Sequence, residues 1–149
     1  MSDVLEELAD EEDGKLDRDH VERRLEDWRT RVTGLYSTVS NWLPAQFSTA
    51  TDQDVLMNEE LMARHQVAEL RLPVLTILDG RGWFGKLVPR GLWIIGANGR
   101  LDLFTSAGHF IIADRAGNFE PPKWMIAKSE ERQKQKILDR QSFLKAIGQ

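Results

Sequence analysis

The sequence predicts an α+β domain with a long N-terminal amphipathic helix, a short second helix, an antiparallel β-meander of about five strands and a short C-terminal helix. Three observations carry that expectation. Val21, Leu25, Trp28, Val32, Leu35, Val39 and Trp42 are spaced alternately by four and three residues, an a/d seam through three heptads. From residue 68 the apolar period falls to two, the period of a strand. Asn98-Gly99 and Ser106-Ala107-Gly108 then separate successive strand-like runs, and turns so short join antiparallel neighbours. With 149 residues there is room for one hydrophobic core, so residues 17–149 are expected to form a single domain behind an acidic, disordered arm over 1–16.

The arm carries Asp3, Glu6, Glu7, Asp10, Glu11, Glu12 and Asp13 with no basic residue up to position 13. Against a formal charge of −4 for the whole chain, those seven carboxylates leave +3 on the rest. Such a segment serves as a solvated tail, or it shields a basic surface on the body or on a partner. Asp17 then fits a helix N-cap, with Leu16 and Val21 at the two positions of a hydrophobic staple. Asp19 and Glu22 suit the positive end of the helix dipole, and Pro44 ends the pattern because it lacks a backbone donor. About 26 helical residues make a rod of about 39 Å, longer than a small sheet needs. The seam therefore either packs on the chain's own sheet or pairs with a copy or another protein's helix. Its narrowness and length favour the second reading, which makes Trp28, Val32, Leu35 and Val39 candidate interaction residues.

Residues 46–54 are small and polar and read as a connection. A short helix over 53–64 follows, capped by Thr51 or Asp52, with Met57 and Leu61 on one face. Strands are expected over 68–78, 91–96, 100–105, 109–114 and 123–127. Residues 129–136 read as a loop or a helical turn. Asp139 caps a last helix over 140–147, with Leu138 and Phe143 as its staple.

Gly80-Arg81-Gly82-Trp83-Phe84-Gly85 matches G-x-G-x-x-G directly after a strand. A dinucleotide fold needs a helix next, but Lys86-Leu87-Val88-Pro89 is extended in character. Over about ten residues the segment resembles the glycine-rich hairpin of protein kinases, whose other motifs have no counterpart here. A glycine-rich turn explains the glycines and leaves the aromatics unexplained. Trp83 and Phe84 either fold back as a lid or form an exposed contact finger. Arg81, Lys86, Arg90 and Arg100 nearby are candidate nucleic-acid contacts beside such a finger.

Asp102 and Asp114 flank a predicted hairpin, with Glu22 and Glu26 on the preceding helix. The pattern resembles PD-(D/E)XK nucleases, in which hairpin carboxylates hold a divalent cation. The resemblance implies magnesium or manganese at Asp102 and Asp114, with Glu22 or Glu26 as the helix carboxylate. Ala116 stands where the family has its lysine, and Gly117 to Pro122 replaces the helix expected after the second carboxylate.

Other chemistries lack their residues. Without cysteine there is no disulfide, thiolate metal site or cysteine nucleophile, and His20, His65 and His109 have no ligand spacing. No apolar run approaches the ~20 residues of a membrane span, and the acidic start does not resemble a signal peptide. The sequence thus favours a cytoplasmic, non-catalytic protein-interaction module without cofactor, with a protein partner or a second copy as ligand and no membrane partner. The alternative is a nuclease-like, nucleic-acid-acting protein, active or degenerate.

Overall fold

A computed structural model describes residues 17–94 and 97–149. Helix α1 (Arg18–Trp42) leads into β1 (Ser48–Met57), α2 (Glu60–Arg64), β2 (Leu70–Leu78), β3 (Phe84–Ile94), β4 (Ala97–Thr105), β5 (Gly108–Asp114) and β6 (Trp124–Lys128). A 3-10 turn at Ser129–Glu131, a two-residue strand β7 (Lys136–Ile137) and α3 (Arg140–Ala146) complete the described chain. The strands lie in sequence order in one sheet, every neighbouring pair antiparallel.

The α+β class and the flanking helices agree with the sequence reading, but the sheet has seven strands where about five were expected. The additional strands are β1 and β7. β1 occupies the stretch read as a polar connection and the start of a helix. It is a mostly exposed edge strand, held by backbone pairing to β2. Such a strand needs no apolar alternation, so periodicity does not reveal it. The expected second helix shrinks to the five residues of α2, and Met57 ends the strand instead. β3 also begins earlier than expected, because Lys86 to Pro89 joins the ladder with β4, and Asn98-Gly99, expected as the turn, lies inside β4 with Asn98 opposite Trp93. The acidic arm, Ile95 and Gly96 lie outside the described residues.

α1 forms where its caps allow: the Asp17 carboxylate accepts from the His20 N–H at 3.0 Å, and Pro44 follows its end. Its seam faces the chain's own sheet. Val21, Trp28, Val32 and Val39 are fully buried, and Leu35 is 3% exposed. They pack with Leu75, Leu87, Leu101, Leu103, Ile112 and Ile126 in one core. This corrects the intermolecular reading of the seam. Seven strands about 4.8 Å apart make a sheet about 30 Å wide, enough to cover most of the length of the helix. Gly99, at φ +107°, is required beneath the seam, because a Cβ there would overlap the Trp28 ring.

The sheet forks between β2 and β3, which pair only from Leu75–Leu87 to Leu78–Phe84. The Tyr36 hydroxyl sits at the fork, donating to the Pro73 carbonyl at 2.7 Å with the Leu87 carbonyl at 3.2 Å. Beyond it, the Glu59 carboxylate accepts from the backbone N–H groups of Leu92 and Trp93 at 3.1 and 3.3 Å. Side-chain oxygens thus satisfy backbone groups where the neighbouring strand has moved away.

Candidate interaction surface

Strand register decides which sequence candidates meet. Asp102 pairs with Ile111, and Asp114 lies three residues further along β5, so the two carboxylates project from opposite faces. Asp114 points toward α1 and is fully buried. Its Oδ2 accepts from Arg31 at 2.6 Å, while its Oδ1 accepts from the N–H groups of Ala116 and Lys123 at 2.9 and 2.8 Å. Arg31 also donates to Asp27 at 2.6 Å and to the Glu120 carbonyl. Asp114 is therefore the anchor that closes the 115–122 loop against α1. Glu22 and Glu26 are on the exposed side of the helix, paired with Arg18 and Arg29. The nuclease-like set Asp102, Asp114, Glu22 and Glu26 does not assemble. Among the described residues no three His, Cys, Asp or Glu side chains cluster closely enough to hold a metal ion.

Trp83 is part-buried rather than a protruding finger. Its ring meets Phe47 edge to face at 5.4 Å and packs against the core. The Asp79 carboxylate holds the turn by accepting from the N–H groups of Arg81 and Trp83 at 2.7 and 3.1 Å. Gly85 makes room for the fold-back, since a Cβ there would come within 2.8 Å of the indole. Phe84 is the first residue of β3, paired with Leu78. Arg81 is exposed in the turn, at the other end of β3 from Arg90.

The remaining candidates converge on the face of the sheet opposite α1. Lys86, Phe104 and His109 form one cross-strand row, and Val88, Asp102 and Ile111 form the next. Arg100 stands beside Asp102, and Arg90 reaches it from a bulge in β3. Asp102 is 1% exposed, a costly place for a carboxylate unless it is well paired. It is paired: Arg90 Nε lies 2.7 Å from Oδ2, while Arg100 Nε and Nη2 lie 3.1 and 2.9 Å from Oδ1. His109 Nε2 is 3.4 Å from Oδ1, and its ring stacks on Phe104 at 4.5 Å and 17°. Phe104 remains 37% exposed.

One buried carboxylate thus fixes two guanidinium groups on a surface. Each guanidinium has five N–H donors, so Asp102 engages only part of their capacity. Lys86 is alongside, donating to Gln53 at 2.8 Å. Phe104 and His109 were not singled out as interaction residues in the sequence, although a signal was there. Arg100, Asp102 and Phe104 alternate with the apolar Leu101 and Leu103, which separates an outer from an inner face.

A groove of about 620 Å³ runs between α1 and the 117–122 loop, with Gly34, Trp42, Pro121, Trp124 and Leu138 in its walls. Its buried cation, Arg31, is committed to Asp27, Asp114 and the Glu120 carbonyl, so that charge serves the fold.

These features define an α+β protein with its helix seam buried and a basic, aromatic patch on the opposite sheet face. The chain matches no protein-family model, no curated protein and no solved structure. No described helix is long and apolar enough to cross a membrane.

Proposed function

We propose that this protein is a non-catalytic interaction module whose binding surface is the sheet face opposite α1, centred on Asp102. The observation that carries the reading is the pairing of Arg90 and Arg100 with one buried carboxylate beneath the exposed Phe104. Arginine and aromatic side chains are the residues that most often dominate binding energy at interfaces. Here both are held in place before any partner arrives, which lowers the ordering cost of binding. The helix seam has no part in this role because it is occupied by the core. A reducing compartment such as the cytoplasm suits a chain without cysteine.

The test is site-specific photo-crosslinking in cells, with the crosslinking residue at position 104 or, for comparison, at position 26 on the exposed side of α1. Discrete adducts from position 104, lost when Arg90→Ala is added, are the expected result. Equal labelling from both positions, or none from position 104, would overturn the assignment. Adducts to RNA or DNA instead of protein would move the surface to the nucleic-acid reading.

A further inference from the structure

We infer that the groove between α1 and the 117–122 loop, separate from the outer sheet face, holds a proline-rich segment of a partner protein with a basic residue at one end. Shape is the first ground. The groove follows α1 from Asp27 to Trp42, about 22 Å at the helical rise. A volume of about 620 Å³ spread over that length is one extended chain wide, too narrow for a helix about 10 Å across. Gly34 lies along it, and a Cβ there would meet nothing within 4 Å. A glycine in a helix interior weakens the helix. This one relieves no contact in return, and its effect is to keep the groove deep at mid-length.

The second ground is chemical. Trp42, Trp124 and Phe119 give the walls aromatic surface, and Pro121-Pro122 on the loop side has no N–H to offer. The α1 amides are used within the helix, and the Thr30 and Thr38 hydroxyls donate to the Glu26 and Gly34 carbonyls. A partner strand would find no ladder here. A polyproline II segment fits, because its backbone stays hydrated and its rings pack on aromatic side chains. Phe119 stands toward the start of α1, its ring 5.6 Å from that of His20 and 5.8 Å from the Arg23 guanidinium. It stays 46% exposed on a left-handed backbone at φ +63°. That arrangement costs the isolated fold stability, and such costs cluster at ligand sites.

Charge sets the direction of the occupant. The charged groups in the groove lining are Asp27, Arg31 and Glu120, and Arg31 is shared with the buried Asp114. Three carboxylates thus stand against one guanidinium, and the Asp27–Glu120 end keeps a net negative charge. Arg23, beyond it, pairs with Asp19 at 3.4 Å. The partner's arginine or lysine lies at that end, with its prolines toward Trp124 and Trp42.

The test titrates a defined peptide into the isotope-labelled full chain and follows its NMR signals. The peptide is about seven residues, prolines with one terminal arginine, about 22 Å long in polyproline II form. The signals of Gly34, Thr38 and the Trp42 and Trp124 indoles should move, while those of Phe104 and His109 on the outer face stay in place. Replacing the peptide's arginine by glutamate should weaken binding about tenfold, since like charges then meet. Gly34→Leu, which fills the groove, should weaken the arginine peptide about as much without lowering the melting temperature. Glu120→Gln, at an exposed loop side chain, should weaken the arginine peptide and leave a peptide ending in serine unaffected. No movement of the groove signals at millimolar peptide, or equal binding of the arginine and glutamate peptides, would overturn the inference. So would wild-type binding by the Gly34 and Glu120 variants. Groove signals that move with protein concentration alone would give the groove to a second copy of the chain instead.

Discussion

Asp114 and Asp102 are both almost fully buried, yet they serve different ends. Asp114 joins α1 to a loop through Arg31, which is itself 3% exposed at its side chain. Removing one partner of a buried pair leaves the other charge uncompensated, at a cost of about 3–5 kcal/mol. Arg31→Ala should therefore lower the urea midpoint by an amount corresponding to about that loss. A loss below about 1 kcal/mol would show that the pair is better hydrated than its burial indicates. Tyr36 gives a pH signature instead. Burial pushes its phenol well above its ordinary value, only partly opposed by a backbone hydrogen bond. The unfolded phenol ionises at about pH 10, while the folded one keeps its proton to higher pH. Its contribution is whole below about pH 10 and is lost as pH rises above that, since the unfolded state then binds fewer protons. In denaturation curves between about pH 9 and 11.5, Tyr36→Phe should flatten the alkaline decline. Near pH 7 the variant should be about 1 kcal/mol less stable through the lost hydrogen bond. An identical alkaline slope in both proteins would refute the assignment.

Helix α1 shows how far an element can be read alone. Its start, stop and apolar stripe follow from Asp17, Pro44 and the four-three spacing, and the structure keeps them all. What the stripe touches does not follow. A helix period specifies a buried face, not whether the covering surface comes from the same chain. Gly34 lies on the other side of the element, in the groove wall, and a Cβ there would meet nothing within 4 Å. Gly34→Ala should accordingly stabilise the protein by about 1 kcal/mol, the helix-propensity difference. Thermal unfolding that is unchanged or lowered would mean that the groove has less room than the backbone indicates. β1 is the opposite case, since exposed on most of its length it offered only a polar composition to the reader. Its existence depends on β2 presenting an unpaired edge.

For the molecule as a whole, the sheet has two working faces: one packs on α1, the other carries Arg90, Arg100, Asp102, Phe104 and His109. The division predicts metal insensitivity. Asp102 meets two arginines on one face while Asp114 meets Arg31 on the other, so no site joins them for a divalent cation. Millimolar manganese should leave the melting temperature unchanged in the wild type and in Asp102→Asn. A rise confined to the wild type would restore the nuclease-like alternative, because a ligand stabilises only the state that binds it.

By itself the sequence determined the local features: the caps and length of α1, the strands β2, β4, β5 and β6 in the main, the turn at Ser106-Ala107 and the α3 cap at Asp139. These follow from periodicity and from backbone rules that act over a few residues. The tertiary structure decided the pairings between distant residues. It buried Trp28 over Gly99, turned Trp83 onto Phe47, and separated Asp102 from Asp114 by a three-residue offset in register. Strand alternation sends residues at odd separation to opposite faces, and the outer cluster also needs a β3 bulge to bring Arg90 to Asp102. The sequence contains those residues, but only the register of the folded sheet sets which of them meet.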